Sequence, residues 1–149
     1  MKNNLSDNPM RLIGHTYRTF ARLVDGPLGV LGLAVGQLPV LVSLKKNGQL
    51  SQAALARLAQ VEQPSMAQLL NRMERDGLVQ RAPDPDDRRS HLISLTADAS
   101  QRLPKGKAVM EAVSRQALSG FSKEEQDQLM ALILRVNANL DRAIGEMES

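Results

Sequence analysis

The stretch Pro64–Thr96, PSMAQLLNRMERDGLVQRAPDPDDRRSHLISLT, predicts a helix followed by a β-hairpin. Pro64 suits the first turn of a helix, where a missing N–H costs no hydrogen bond, and Gly77 suits the residue that ends it. Two strand-like runs, LVQRA and HLISL, follow this glycine. Proline, aspartate and serine favour turns, so PDPDDRRS between the runs predicts a charged hairpin tip.

The predicted helix has one apolar side and one polar side. At about 100° per residue, its methionines and leucines cluster together on the helical wheel. These apolar residues are Met66, Leu69, Leu70 and Met73. The opposite side carries Pro64, Ala67, Gln68, Asn71, Arg72 and Arg75. This polar side favours DNA as the partner, because a protein-interaction module would expose apolar residues there.

The sequence before this stretch predicts two further helices. LSQAALARLA predicts a short helix with Ser51 as its N-cap and a tight turn after it. Further upstream, an apolar helix ends at Gly48, and Pro39 is expected to bend it. Helix, tight turn, helix and charged hairpin is the order of a winged helix-turn-helix, whose second helix enters the major groove of DNA. The predicted DNA-binding unit covers residues 34–96.

Two arginines follow three aspartates at the predicted hairpin tip. An arginine at the end of a narrow hairpin can enter the minor groove of DNA, where the negative potential favours its charge. Carboxylates repel phosphate, so we interpret the aspartates as groups that stiffen the loop by pairing with Arg88 or with a backbone N–H. Arg89 is then left extended. These aspartates are Asp84, Asp86 and Asp87. The alternative is a loop that is merely solvated.

The composition excludes several classes of protein. The chain has 149 residues, no cysteine, and 19 basic against 16 acidic side chains. Without cysteine, the protein is expected in a reducing compartment and cannot use thiolate chemistry or cysteine-bound zinc. One tyrosine and two phenylalanines are too few for a base-stacking platform that binds single strands. No run has the length of a membrane span or the apolar core of a signal peptide, so we predict a cytoplasmic protein.

No pattern in the sequence predicts catalysis. His15 and His91 are the only histidines, and neither has the spacing of a metal site. Neither a glycine-rich phosphate loop nor a nucleophile elbow is present. We therefore predict a protein that is not an enzyme and that needs no metal or cofactor.

Both ends of the chain predict amphipathic helices. One face carries Ile13, Tyr17, Phe20 and Val24 in the first helix, and Leu129, Ile133, Val136, Leu140 and Met147 in the last. A winged module needs less apolar surface, so we predict that residues 9–28 and 97–147 form a dimer interface within one domain, 1–149. Its predicted contacts are Ile13, Phe20, Leu129, Ile133, Val136 and Leu140. Alternatively, the last helix folds back onto its own domain. The predicted fold class is mainly α with a small β-hairpin.

The central block resembles the multiple antibiotic resistance regulator (MarR) family. The shared features are a Pro-Ser helix start, R-x-E-x-x-G-L-V at the helix end, D-x-x-D-R-R at the wing tip and L-T before the next helix. The resemblance implies a winged-helix transcriptional repressor that binds a pseudo-palindromic operator of double-stranded DNA as a homodimer. The alternative is a winged-helix module that binds proteins and not specific DNA, because a fold does not fix a function.

The resemblance also implies roles for individual residues. Ser65 would contact phosphate or a base, and Gln68 would face base edges. Arg72 or Arg75 would touch the DNA backbone, and Arg89 would enter the minor groove. The full predicted DNA-binding set is Ser65, Gln68, Asn71, Arg72, Arg75, Arg88 and Arg89. Many relatives carry arginine at the position of Gln68, so the operator preference is expected to differ, since arginine favours guanine and glutamine favours adenine.

The resemblance further implies a small phenolic or anionic effector that releases DNA by binding between the dimer helices and the winged module. The candidate lining residues on the first helix are Arg11, His15, Arg18 and Arg22. A histidine on a helix is more often a surface residue than a ligand contact, so a purely structural role stays open. The absence of cysteine excludes the peroxide-sensing branch of the family.

Overall fold

The computed structural model describes residues 7–149, which form six α-helices and one antiparallel sheet of three strands. The helices are α1 (Pro9–Val30), α2 (Leu38–Asn47), α3 (Gln52–Ala59), α4 (Gln63–Arg75), α5 (Ala97–Ala117) and α6 (Lys123–Glu148). The strands are β1 (Gln49–Ser51), β2 (Val79–Asp84) and β3 (Asp87–Leu95). The predicted fold class is confirmed. Residues 1–6, which begin the predicted 1–149 domain, lie outside the described residues.

Helix α1 is longer than the sequence predicts. In the sequence, the three glycines and one proline of DGPLGVLGL, residues 25–33, predict a break in the first helix, and the predicted range ends at residue 28. The helix nevertheless continues through Pro27 to Val30. Val24 and Leu28 flank the proline and are fully buried in the core. Burying two such side chains contributes about 3–6 kcal/mol, which offsets the roughly 3 kcal/mol cost of a proline inside a helix.

Pro39 lies in the first turn of α2, so the predicted bend inside this helix is wrong. A short 3-10 helix, Val35–Gln37, precedes it. The side chain of Gln37 folds back, and its Oε1 accepts a hydrogen bond from the backbone N–H of Ala34 at 3.0 Å. A proline costs no backbone hydrogen bond at this point, because the first N–H groups of a helix have no partner within it.

A tight turn joins α3 to α4, as the sequence predicts. Ser51 caps α3, since its Oγ accepts a hydrogen bond from the backbone N–H of Ala54 at 3.1 Å. Gln60 closes the turn in the left-handed conformation, with φ of 54°. Pro64 lies in the first turn of α4. The two helices therefore form the predicted helix-turn-helix.

The sheet has the order β1-β3-β2, so β3 is its central strand. The hairpin of β2 and β3 is predicted correctly, but β1 is not predicted at all. In β1, Leu50 lies opposite Ile93, which is fully buried. The hairpin loop is also shorter than expected, because β2 runs to Asp84 and β3 begins at Asp87.

The main core lies between the helices and the sheet. Its fully buried side chains include Leu41 and Leu44 of α2, Leu55 of α3, Met66, Leu70 and Met73 of α4, and Leu103 of α5. Gly106 lets α5 approach this core closely: a Cβ at this position would lie 2.8 Å from Cδ1 of Leu33. The packing of α4 fixes which of its sides faces outward.

The described chain divides into two compact units, the residues up to Val113 and Ser114–Ser149. The second unit consists mainly of α6. Its first turn has a reciprocal capping box: Ser122 Oγ accepts from the N–H of Glu125 at 3.1 Å, and Glu125 Oε1 accepts from the N–H of Ser122 at 2.9 Å. No residue of α6 is buried.

Candidate nucleic-acid interface

Helix α4 presents a polar and basic face to solvent. Met66, Leu70 and Met73 each have 0% exposure, so their packing holds the helix in one rotational position. The predicted DNA-binding residues of this helix are all exposed: Ser65, Gln68, Asn71, Arg72 and Arg75. None of the large apolar residues exposed within 7–149 belongs to α4. The face can therefore offer hydrogen bonds and positive charge but little apolar area.

The wing turn is stiffened by aspartate side chains. Asp84 Oδ1 accepts a hydrogen bond from the backbone N–H of Asp86 at 2.9 Å. Asp87 Oδ1 accepts one from the backbone N–H of Arg89 at 3.0 Å. Two of the three aspartates thus pair with backbone N–H groups, whereas Asp86 contributes its own N–H. The sequence allows these aspartates to pair with Arg88 or with a backbone N–H, and the structure has the backbone pairing. Neither of the two ion pairs found in the described part of the chain involves the wing.

The wing arginines lie in strand β3 and not in the turn itself, which corrects the predicted hairpin tip. Cα pairing jumps from Pro83 opposite His91 to Asp84 opposite Asp87. The three residues 88–90 therefore have no partner in β2 and form a bulge. Bulges bend a strand and change the direction of its side chains. Arg88 and Arg89 are both exposed on this bulge.

The structure has a side-chain contact between α4 and the wing that the sequence analysis does not predict. Arg81 of β2 donates a hydrogen bond from Nη2 to Oδ1 of Asn71, over 2.9 Å. Alternation along β2 could have indicated it: Val79 is buried, so Arg81, two residues later, is expected on the same inward side. A charged residue at such a position needs a partner. Asn71 supplies it.

The predicted effector and dimer residues lie on helix surfaces. Arg11, His15, Arg18 and Arg22 follow one another at spacings of four, three and four residues, and all are exposed on one side of α1. Of the predicted dimer contacts, Ile13, Leu129, Ile133 and Leu140 are exposed, and Phe20 and Val136 are half-buried. Both sets of roles stay predictions.

Residues 7–149 contain no group of three or more His, Cys, Asp or Glu side chains that could hold a metal ion. Across the same residues, no single helix is long and apolar enough to cross a membrane. Only a pair of helical segments taken together is long and apolar enough, Pro9–Val30 with Val35–Asn47, and the chain bends by 88° between them.

Comparison with known proteins assigns the family. A model of the MarR family matches residues 31–90, which contain the helix-turn-helix and most of the wing. A probable transcriptional regulator from Pseudomonas aeruginosa is 32% identical in sequence, with a TM-score of 0.80; the match covers 89% of this chain and 99% of that one. The chain belongs to the MarR family. The resemblance stated from the sequence is thus confirmed.

Solved structures of MarR-family proteins match most of the chain. The transcriptional regulator SlyA is 25% identical, and the match covers 90% of this chain and 94% of that one with a TM-score of 0.83. A mutant MarR from E. coli in complex with operator DNA is 23% identical, and covers 85% of this chain and 91% of that one with a TM-score of 0.79. The shared fold therefore extends well beyond residues 31–90.

Proposed function

We propose that this MarR-family chain is a sequence-specific regulator of transcription, a repressor that binds a pseudo-palindromic operator in double-stranded DNA. The observation that carries the proposal is the exposed polar and basic face of α4, which stands beside a wing with two exposed arginines. A helix of this kind fits the major groove, where side-chain amides and guanidinium groups read base edges. The E. coli MarR structure with operator DNA has the same fold and supports this reading.

The proposal includes a homodimer. Helix α6 has no buried residue, and it carries a stripe of exposed apolar side chains: Leu129, Ile133, Leu140, Ile144 and Met147. Helix α1 exposes Ile13 and Tyr17. Apolar stripes of this length favour burial against a partner, and a second copy of the chain would place two α4 helices on one DNA molecule. Residues 34–96 would then bind DNA, while 9–28 and 97–147 would hold the dimer together.

Three exposed groups of α1, His15, Arg18 and Arg22, support a small phenolic or anionic effector, because guanidinium and imidazole groups bind such anions. Arg11 lies on the same side of the helix. We propose a cytoplasmic protein that acts by binding and release of DNA and not by catalysis.

Selection from a random pool of duplex DNA tests the proposed function. The purified protein is expected to enrich a two-fold-symmetric motif whose half-sites lie about one helical turn, roughly 10 base pairs, apart. Enrichment should be measured at moderate salt, alongside the mass of the protein in solution. A folded dimer that enriches no motif would contradict the proposal and favour a protein-interaction module.

Gln68→Arg is expected to change the base preference of the operator. Gln68 is exposed in the first half of α4, and glutamine pairs with adenine where arginine pairs with guanine. The selected motif should change from adenine to guanine at one symmetric pair of positions, with discrimination of about 1–3 kcal/mol. Gln80→Arg, which adds the same charge at an exposed residue of β2, is the control. An identical motif from wild type and Gln68→Arg would remove Gln68 from base recognition.

A further inference from the structure

We propose that Arg81 is a positioning residue for DNA recognition. It holds the side-chain amide of Asn71 so that the Nδ2 group points away from the protein as a hydrogen-bond donor to an acceptor on DNA. The inference rests on the proposed function and adds to it a residue of the wing strand that does not itself touch DNA. It also assigns the direction in which Asn71 uses its amide.

The chemistry of arginine fixes the orientation of the Asn71 amide. A guanidinium group has five N–H donors and no acceptor, so only the oxygen of an amide can face it. The Nη2 of Arg81 lies 2.9 Å from Oδ1 of Asn71. The Nδ2 group must then lie on the other side of the carboxamide. It carries two N–H donors, and neither of them is hydrogen-bonded to an acceptor within residues 7–149.

The environment of Arg81 indicates that it is held in place. Arg81 lies within the paired part of the hairpin, opposite Ile93, which is fully buried. The Nε of Arg81 is buried and has no hydrogen-bond partner, although most buried donors in proteins are paired. Because Nε is shielded from solvent, the guanidinium is not free to swing out into water, and its hydrogen bond to Asn71 keeps a fixed direction. Its one hydrogen bond is directed to the helix that faces DNA.

The orientation restricts what Asn71 can recognise. An asparagine that reads adenine presents its oxygen and its nitrogen together to the base edge. The Asn71 oxygen already accepts a charge-assisted hydrogen bond, so the residue offers DNA mainly its donors. The acceptor would be a phosphate oxygen or an acceptor atom of a base. Asn71 lies about 60° around α4 from Gln68, at the edge of the exposed face beside the hairpin.

The test compares four variants with wild type on the selected operator: Asn71→Ala, Arg81→Gln, the double variant, and Asn71→Asp. Each single change to alanine or glutamine is expected to weaken binding about 10-fold, and the double variant should bind no more weakly than Asn71→Ala. Gln80→Ala, at the exposed neighbour in β2, is the matched control and should bind as wild type does.

Asn71→Asp separates a positioning role from a structural one. Aspartate keeps an acceptor for Arg81 and strengthens the pair, so the melting temperature should stay the same or rise. It also removes both donors and adds a negative charge, so operator affinity should fall at least as far as in Asn71→Ala. Because the added charge itself repels DNA, Asn71→Ala gives the deciding comparison: a contact that served only to stabilise the fold would leave folded Asn71→Ala with operator affinity equal to wild type, which would overturn the inference. This variant also remains informative if Arg81→Gln does not fold.

The salt dependence of binding tests whether Arg81 itself contacts DNA. A positioning residue leaves the slope of log affinity against log salt unchanged, whereas the loss of a direct phosphate contact lowers the slope by about 1. A lowered slope in Arg81→Gln, or additive losses in the double variant, would refute the inference.

A panel of single-base operator changes then identifies the acceptor: a uniform loss in Asn71→Ala indicates phosphate, and a loss at one symmetric position indicates a base. If wild type selects no operator, the proposed function itself fails; if it selects one and Arg81→Gln binds it normally, only this inference fails.

Discussion

Leu140→Glu is expected to convert the proposed homodimer into monomers and to lower operator affinity by at least about 100-fold. Leu140 lies in the apolar stripe of α6 and is 46% exposed in the single chain. Burial of a leucine in an interface contributes about 1.5–3 kcal/mol, and a symmetric dimer buries two copies. A carboxylate at the same position must lose its hydration without a partner, which adds a further penalty of several kcal/mol. Dimerisation and DNA binding should therefore fail together.

Ala138→Glu is the matched control for this change. Ala138 is also exposed on α6 and lies two residues before Leu140, about 200° around the helix, so the same charge is placed on the opposite side. Sedimentation equilibrium should report a dimer for wild type and for Ala138→Glu, and a monomer for Leu140→Glu. Circular dichroism should show that all three remain helical. A Leu140→Glu monomer with full operator affinity would contradict the proposed dimeric reading of DNA.

Local signals in the sequence predict the winged helix-turn-helix well. Helix α4 follows from the spacing of its apolar residues, with Pro64 at its start and Gly77 after its end. The hairpin follows from two alternating runs around turn residues. These signals are correct because each depends on neighbours a few residues away, where propensity, periodicity and turn chemistry all favour the same structure.

The sequence predictions are wrong or incomplete where contacts between distant parts of the chain determine the local structure. Strand β1 has three residues and too little pattern to be recognised, and it exists because β3 offers it a partner. The continuation of α1 through Pro27 depends on the buried positions of Val24 and Leu28. The contact of Arg81 with Asn71 joins residues of two different elements. Composition and spacing along the chain do not encode such contacts directly.

Arg89→Ala is expected to weaken operator binding by about 1–3 kcal/mol, which corresponds to a loss of roughly 5- to 150-fold, and to leave the dimer intact. Arg89 is exposed on the bulge of β3, in the half of the wing closest to the turn. A guanidinium group that enters the minor groove gains from the negative potential there, especially where adenine and thymine make the groove narrow. The slope of log affinity against log salt should also fall by about 1.

The structure makes Arg89→Ala a clean test, because the turn does not depend on this side chain. Asp87 accepts its hydrogen bond from the backbone N–H of Arg89, which alanine retains. The wing should therefore keep its shape. Arg57→Ala, which removes an exposed arginine from α3, is the control for net charge, and Arg88→Ala compares the neighbouring residue of the bulge. We expect Arg89→Ala to lose more operator affinity than Arg88→Ala, since the side chain of Arg89 is proposed to enter the minor groove. Equal affinity of Arg89→Ala and wild type in a folded dimer would assign the groove contact to another residue of the wing.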